Sequence, residues 1–419
     1  MYDEKCPYSI DPAGRDIHGE AAKLRARGPA TQVELPGGVV VWTVTDTALI
    51  KRLLTDPRVS RDTYQHWPAW ENGESELART WPLAMWVADR NMITAYGAEH
   101  SRLRRLVAKA FTTRRTNALQ PRIEAIVASL LDQIADLAAD GPVDLRATFA
   151  YGLPTQVISE MLGVPDDIRD ELLGIIGAWM TGEMSEEEAA TLEERVYTLL
   201  ARLVGHKRDH PGDDVISALI AARDDEDGPG LTERELVDTI LLTFTAGHET
   251  TANLLDQAIY AMLTHPGQLA MVRDGRASWS DVIEETIRSE APFANLPMRY
   301  AVEDIEIDDE ITIAKGEPIM ISFAAAGRDP AVHGPDADAF DITRPTRGDH
   351  IGFGHGVHYC IGAPLARLEA RIALPALFER FDAMELAVPA DRIVPLTSFV
   401  SNGHQELPVL LRSRHTAAS

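Results

Sequence analysis

Cys360 is one of two cysteines in this chain of 419 residues, and it lies in a glycine-rich stretch, FGHGVHYCIG, at positions 353–362. Glycine has no Cβ, so other groups can approach its backbone closely. The stretch precedes an amphipathic helical pattern, whose N-terminus would offer free N–H groups and partial positive charge. A thiol placed there is predicted to have a depressed pKa and to exist as a thiolate. Such a sulfur needs a partner, and haem iron is a leading candidate.

These ten residues also resemble the Phe-Gly-x-Gly-x-His-x-Cys-x-Gly loop of the cytochrome P450 haem-thiolate monooxygenases, with every fixed position occupied. The resemblance implies haem b as the cofactor and Cys360 as the axial iron ligand. A Cys–His hydrolase using Cys360 with His358 or His355 is the rival interpretation. It is less favoured because residues so close on a glycine-rich loop are poorly placed to pair, and no third orienting group is evident.

A second candidate site is the segment Ala-Gly-His-Glu-Thr-Thr at 246–251, inside an otherwise apolar helical pattern. A hydroxyl and a carboxylate there could hold a water chain that delivers protons. The alternative is an ordinary helix cap. The segment resembles the P450 distal-helix pattern, which implies Glu249 as the acid and Thr250 as the hydroxyl beside the bound oxygen. Gly247 and Thr250 are mediocre helix formers, so a local kink or bulge is predicted.

Basic residues supply candidate haem contacts. His100 and Arg104 share one helix face at spacing i, i+4, and arginine can bind a carboxylate through two parallel hydrogen bonds. The resemblance assigns both residues, together with Arg299 and His358, to the haem propionates.

The same helix carries further basic residues without an acidic one between positions 100 and 115. They could form a solvated face. The alternative is a docking patch for an acidic ferredoxin-type electron donor, which the resemblance supports. The residues of this predicted docking patch are Arg102, Arg105, Lys109 and Arg114.

Several segments match the substrate-pocket segments of the family, which suit a bulky, apolar small molecule. Four tryptophans between 67 and 86 could form an irregular loop held by core aromatics or a lid over the ligand. The predicted pocket residues are Trp86, Ala246, Gly247, Ala294, Asn295, Leu296, Met298, Phe399 and Val400. Similarity to one actinobacterial branch makes a steroid the first choice of substrate and a macrolide or other polyketide the second.

The positions of these residues depend on a predicted framework that is mainly α with a smaller β-rich portion. Helical periodicity marks 102–111, 123–137, 191–204, 236–255 and 280–290, and strand patterns mark 31–45, 311–322 and 396–411. A capping box at Thr232 and Glu235 predicts where the long apolar helix begins. The whole chain, 1–419, is interpreted as a single P450 domain.

A charged pair, Glu285 and Arg288, lies three residues apart on one predicted helix face. Such pairs are usually solvated and contribute little. The resemblance instead implies a buried brace for the haem loop, with Arg344 as its third member. We assign it a structural role.

Composition limits the partners. The net charge is −25, from 40 basic and 65 acidic side chains, which disfavours binding to nucleic acid or to an anionic membrane. No long apolar run or signal peptide is evident, and two distant cysteines fit a reducing compartment, so we expect a cytoplasmic monomer.

Together these features predict a monooxygenase that uses O2 and two electrons relayed from NAD(P)H through a reductase and a ferredoxin. A peroxygenase is the nearest alternative, and the Glu249–Thr250 pair argues against it. A non-enzymatic haem sensor or carrier would need neither that pair nor the basic patch.

Overall fold

The computed structural model describes residues 6–81, 83–139, 141–180, 186–223 and 228–411, most of which are helical. The helices are α1 (Ile17–Arg25), α2 (Thr47–Thr55), α3 (Thr63–His66), α4 (Glu76–Thr80), α5 (Met85–Ala88), α6 (Gly97–Ala110), α7 (Thr113–Ala118), α8 (Gln120–Leu137), α9 (Gly152–Leu162), α10 (Asp166–Met180), α11 (Glu186–Asp209), α12 (Val215–Ala221), α13 (Glu233–Thr264), α14 (Pro266–Arg273), α15 (Trp279–Ser289), α16 (Phe323–Gly327), α17 (Pro330–His333) and α18 (Ala363–Arg380). The mainly α fold class predicted from the sequence is confirmed.

The strands form a smaller part of the molecule. They are β1 (Tyr8–Ser9), β2 (Ala30–Leu35), β3 (Val39–Val44), β4 (Val59–Ser60), β5 (Val143–Asp144), β6 (Asn295–Ala301), β7 (Ile305–Glu306), β8 (Thr312–Ile313), β9 (Pro318–Ser322), β10 (Glu385–Leu386) and β11 (Pro408–Leu410). The largest sheet has the order β1-β2-β3-β9-β6-β4, and smaller sheets join β10-β11-β5 and β7-β8. The predicted hairpin at 31–45 is confirmed as β2 and β3. The strands predicted within 311–322 belong to two different sheets, and 396–411 contains only β11.

Helix α13 passes through the middle of the fold. It begins at the predicted capping box, in which Glu235 N–H bonds Thr232 Oγ1 at 3.3 Å and Thr232 N–H bonds Glu235 Oε2 at 2.7 Å. The predicted kink near Gly247 was wrong, because the helix continues unbroken to Thr264. Gly247 instead permits close packing on α9, since a Cβ there would lie 2.6 Å from Ile158 Cδ1.

Three of the four clustered tryptophans belong to the core. Trp67 stacks on Trp70 and Tyr300 with ring centroids 5.7 and 5.5 Å apart, and Trp81 meets Trp67 edge-on at 5.3 Å. This aromatic cluster joins the 67–81 segment to the large sheet. Of the two interpretations of this stretch, core packing therefore fits these three residues.

Within the described ranges, no helix has the length and apolar character that crossing a membrane would require.

The pair Glu285 and Arg288 is fully buried on α15, with two hydrogen bonds of 2.7 and 2.8 Å between guanidinium and carboxylate. Arg288 also donates to the carbonyl oxygens of Gly327, Ala337 and Ala339. Arg344 Nε lies 3.6 Å from Glu285 Oε1. These contacts join α15 to the 327–344 segment that leads to the cysteine loop.

Replacing Arg288 with alanine is expected to reduce the free energy of unfolding by about 3–5 kcal/mol, because it leaves the buried Glu285 carboxylate with only the longer ionic contact to Arg344. Denaturant titration of the purified protein measures this change. Arg276→Ala is a matched control that breaks an exposed pair with Asp274 and should cost less than about 1 kcal/mol. Similar losses in the two variants would contradict a bracing role for Arg288.

Candidate active site

The cysteine loop is shaped by two glycines with positive φ, Gly354 at +79° and Gly356 at +71°. A Cβ on Gly356 would lie 2.6 Å from the carbonyl oxygen of Leu54, so only glycine fits beneath α2. Cys360 N–H donates to the Phe353 carbonyl at 2.9 Å, which closes the loop. The thiol is thereby held just before the N-terminus of α18.

The sequence predicted a depressed pKa for the Cys360 thiol. The groups of the polypeptide, taken without a bound metal, have the opposite net effect, so this prediction was wrong. Burial raises the pKa of Cys360, and it outweighs the backbone N–H groups of Gly362 and Ala363 and the charges of Arg104 and Arg367, which lower it. The helix N-terminus acts as expected, but the apolar surroundings penalise the anion more strongly. A thiolate at this position therefore needs a cation closer than these groups, and a coordinated metal ion supplies one.

Beside the loop lies a cluster of basic side chains, which we call the basic cluster. It contains the four predicted residues His100, Arg104, Arg299 and His358, together with Arg61. His100 and His358 have ring centroids 4.2 Å apart, and Arg104 donates to the Tyr359 carbonyl at 2.6 Å. Among the described residues, no carboxylate forms an ion pair with any of the five.

Arg61, His100 and Arg299 of the basic cluster are buried, Arg104 and His358 are half-buried, and the cluster is incompletely hydrogen-bonded. Arg61 and Arg299 are 5% and 4% exposed, and buried nitrogens of Arg61, Arg299, His100 and His358 have no hydrogen-bond partner. Burial lowers the pKa of Arg61 to about 10, and burial and the charge of Arg61 lower the pKa of Arg299. Burial, followed by the charge of Arg61, lowers the pKa of His358 to about 2.

These properties fit haem. Unpaired buried cations are costly, and they become favourable when anionic groups bind among them. A haem bound to Cys360 would carry two propionates, and the basic cluster provides the donors for them. The observed donor set therefore agrees with the cofactor implied by the sequence.

Arg61 was missed in the sequence because nothing in its local pattern singles it out. Strand β4 pairs with β6 through Val59 with Ala301 and Ser60 with Tyr300. The next step of the same antiparallel register brings Arg61 opposite Arg299. Only knowledge of this strand pairing would have identified the residue.

Helix α13 lines a cavity of about 330 Å³, whose wall also includes Cys360 and, from the basic cluster, Arg61, Arg104, Arg299 and His358. Ala246, Gly247, Glu249 and Thr250 all lie on its wall, as predicted. Thr250 Oγ1 donates to the Ala246 carbonyl at 2.8 Å, so the hydroxyl is bonded to its own helix.

The remaining pocket predictions divide into two groups. Trp86 and Leu296 line the cavity, and Trp86 meets the ring of Phe293 edge-on at 5.8 Å. Five residues predicted as pocket-lining lie outside the wall: Ala294, Asn295, Met298, Phe399 and Val400. These five are corrections to the predicted site.

The physical reason is that the five residues join β6 to the 398–401 segment or fill the core. Asn295 Nδ2 donates to the Phe399 carbonyl at 2.7 Å, and Ala294 N–H donates to the Val400 carbonyl at 2.7 Å. Met298 packs in the buried aromatic cluster. Apolar lining residues that sequence reasoning missed include Met92, Ile93, Ile158, Met161, Leu241, Leu242, Phe293 and Phe323.

The predicted docking patch also needs correction. Arg102 is 19% exposed and forms ion pairs with Glu99 and Glu235, so its charge is compensated within the protein. Lys109 is exposed and also donates to the Arg223 carbonyl. Arg105 and Arg114 are exposed. Arg102 therefore does not belong to an outward-facing basic patch, whereas the other three residues reach the surface.

Replacing Arg61 with glutamine is expected to raise the rate of haem loss about tenfold, because one charge-assisted contact to a propionate disappears. Transfer of haem to excess apomyoglobin measures this rate. The apoprotein should in contrast become more resistant to denaturant, because the repulsion between Arg61 and Arg299 is removed. The control is Arg52→Gln on the exposed surface of α2; unchanged haem loss in Arg61→Gln would refute the assignment.

Comparison with known proteins supports the same conclusion. The family model described as Cytochrome P450 matches residues 178–275 and 279–399. The chain is 45% identical over 412 residues to 2-hydroxy-5-methyl-1-naphthoate 7-hydroxylase of Streptomyces carzinostaticus, covering 98% of this chain and 99% of that protein.

Two solved structures are also similar. CYP154A1 from Streptomyces coelicolor A3(2) is 50% identical with a TM-score of 0.90, covering 97% of this chain and all of that one. Testosterone-bound CYP154C4 from Streptomyces sp. ATCC 11861 is 44% identical with a TM-score of 0.91, covering 97% and 98%. Because the family model spans more than half of the sequence and these relatives match nearly its full length, the chain belongs to the cytochrome P450 family of haem-dependent monooxygenases.

Proposed function

We propose that this monooxygenase hydroxylates a bulky, uncharged, apolar substrate, with a steroid as the first candidate. The observation that supports this proposal is the cavity between α13 and the cysteine loop, whose wall is largely apolar. Ala246 and Gly247 make the part of that wall formed by α13 small as well as apolar. A large apolar surface with few polar groups suits a rigid hydrophobic ligand.

The charges around the cavity favour a neutral substrate. Among the described lining residues, the arginines are Arg61, Arg104 and Arg299, and all three belong to the basic cluster. A substrate carboxylate would therefore compete with the propionates for its counterion. A neutral steroid needs no counterion. The similar CYP154C4 has been solved with testosterone bound.

An aromatic or macrolide polyketide is the second candidate. The naphthoate hydroxylase relative supports it, because that protein acts on a flat aromatic acid and is matched over nearly the full length.

Haem iron bound to Cys360 would supply the oxygen activation, and the chain would supply substrate binding and protons. Thr250 would hold a proton at Oγ1, which lies on the cavity wall. Glu249, on the same wall, would exchange protons with it through water. Both residues lie on α13 within a continuous helix, so their side chains are presented from a rigid element.

The test is a spectral titration of the purified holoenzyme with testosterone, a macrolide aglycone and 2-hydroxy-1-naphthoate. Testosterone is expected to displace the iron-bound water and shift the Soret band to shorter wavelength at the lowest concentration. Tighter binding of the naphthoate would refute the preference for a neutral ligand. A second spectrum checks whether Cys360 is the iron ligand. The reduced carbon monoxide complex should show a strongly red-shifted Soret band, and Cys360→Ser should abolish it.

We further propose that an acidic ferredoxin docks on the exposed basic residues Arg105, Lys109 and Arg114, and we call these the revised docking patch. Helix α6 lies beside the cysteine loop, since Arg104 donates to the Tyr359 carbonyl. Val357 and Tyr359 are exposed large hydrophobic residues of this loop. A basic surface around an apolar centre suits an acidic partner.

Reversing two charges of the revised docking patch, in Arg105→Glu/Lys109→Glu, should slow reduction by a plant-type [2Fe–2S] ferredoxin about tenfold at low salt. The difference should shrink as ionic strength rises. Stopped-flow reduction kinetics measure both effects. Arg102→Gln is the matched control and should change the rate little, because the Arg102 side chain is only 19% exposed; equal rates for all three proteins would refute the patch.

A further inference from the structure

One side of the cavity is formed by a stretch of chain that is neither helix nor strand. Residues 89–94, which we call the wall segment, lie between α5 and α6. Leu241 and Leu242 of α13 line the same cavity. The residues of the wall segment on the cavity wall are Asp89, Asn91, Met92, Ile93 and Thr94. The position of the wall segment relative to α13 therefore sets the width of this part of the cavity.

The wall segment is folded on itself by its own polar side chains. Asn91 Oδ1 accepts from the Ile93 N–H at 2.9 Å, and Thr94 Oγ1 donates to the Asp89 carbonyl at 2.5 Å. These bonds hold the shape of a turn but do not fix it to another element. Met92 packs in a core cluster with residues of α13, but apolar contacts are not directional. A fixed position on α13 needs a directional contact as well.

Asp238, in the second turn of α13, makes that contact. Its side chain is fully buried, and its Oδ2 accepts from the backbone N–H of Arg90 at 2.8 Å. A hydrogen bond from an amide to a carboxylate is charge-assisted and is roughly twice as strong as one between neutral groups. Asp238 does not itself line the cavity. It can therefore influence a bound ligand only through the wall segment.

The other bonds of Asp238 compensate its buried charge and join α11 to α13. Oδ1 accepts from the Tyr197 hydroxyl at 2.6 Å, and Oδ2 accepts from Arg234 Nε at 2.9 Å. Arg234 Nη2 also donates to the Tyr197 hydroxyl at 2.7 Å. Burial, followed by the charge of Asp89, raises the pKa of Tyr197, so its hydroxyl stays protonated and remains a donor. The Arg90 N–H is thus the donor that comes to Asp238 from the cavity side.

The side chain of Arg90 makes a second, weaker contact. Its guanidinium carbon lies 3.4 Å from the centroid of the Tyr64 ring, and the Tyr64 hydroxyl donates to the Ala88 carbonyl at 2.9 Å. Arg90 is exposed, and a contact between a cation and an aromatic ring contributes little at an exposed position. The backbone bond to Asp238 is therefore the stronger attachment of the wall segment.

We propose that Asp238 is a positioning residue for ligand binding, whose carboxylate holds the wall segment in place on α13 and so determines which ligands fit the cavity. When the segment is already in place, a bulky ligand packs against it without the entropy loss of ordering it. Without the carboxylate, the turn keeps its internal bonds but loses its fixed position. Asp238 would act on any ligand that reaches this wall, whether or not the natural substrate is a steroid.

Two azole ligands of different size test this role in the holoenzyme. Imidazole and clotrimazole, an imidazole with three aromatic rings, bind haem iron through nitrogen and shift the Soret band to longer wavelength, so titration gives both Kd values. In Asp238→Leu, the Kd of clotrimazole should rise about tenfold, because the wall that it contacts is no longer held in place. The Kd of imidazole should be unchanged, because imidazole is too small to need that wall. Asp238→Asn keeps an oxygen for the Arg90 N–H and should restore most of the affinity for clotrimazole.

Tyr197→Phe is the matched control, because it removes a hydrogen bond of the same carboxylate and leaves the contact to Arg90. It should lower the free energy of unfolding without changing the Kd of clotrimazole. Equal losses of clotrimazole affinity in Asp238→Leu and Tyr197→Phe, or no loss in Asp238→Leu, would overturn the proposal. Wild-type protein that binds clotrimazole no more tightly than imidazole would also contradict it.

A second pair of variants decides the outcome if Asp238→Leu fails to fold. Arg90→Pro removes the backbone N–H, whereas Arg90→Ala keeps it and removes only the contact with Tyr64. Clotrimazole should bind more weakly to the proline variant than to the alanine variant. Equal Kd values for these two proteins would refute the role of the Asp238–Arg90 bond.

Discussion

A buried sulfur at position 360 depends on a cation that the polypeptide itself does not provide. Two backbone N–H groups and two arginines favour the anion, but burial outweighs them. The loop glycines, the short turn before α18 and the packing of α2 all hold the sulfur in place without making it a stable thiolate. The protein thus builds a ligand whose charge is completed only by the metal.

The basic cluster is the converse case, in which buried cations need anions that the polypeptide does not provide. Arg61 and Arg299 come together through strand pairing, and both lack carboxylate partners among the described residues. The arginines of the basic cluster would face the anionic propionates of haem. The Cys360 sulfur, which becomes an anion when it binds metal, would face the iron cation. The two halves of the site are complementary to one molecule. Neither half would be favourable alone in a buried position.

Local patterns allowed much of this arrangement to be predicted. The cysteine loop, the capping box of α13 and the pair Glu285–Arg288 each depend on residues within one short segment, so their spacing is visible in the sequence. Contacts between distant segments were not predictable in this way. Arg90 and Asp238 are 148 positions apart in the numbering, and their contact arises only from the packing of the wall segment against α13. Likewise, the register of β6 shifts between Leu296 and Arg299, so simple alternation could not show which residues face the cavity.

The repulsion between Arg61 and Arg299 has a consequence for the life of the protein in the cell. Any molecule that binds the folded form and not the unfolded one stabilises it by mass action. Tetrapyrrole supply would therefore govern how much of the newly made chain survives, since the empty form carries mutually repelling cations inside its core. Cofactor insertion is therefore expected to stabilise the folded chain and to lengthen its lifetime.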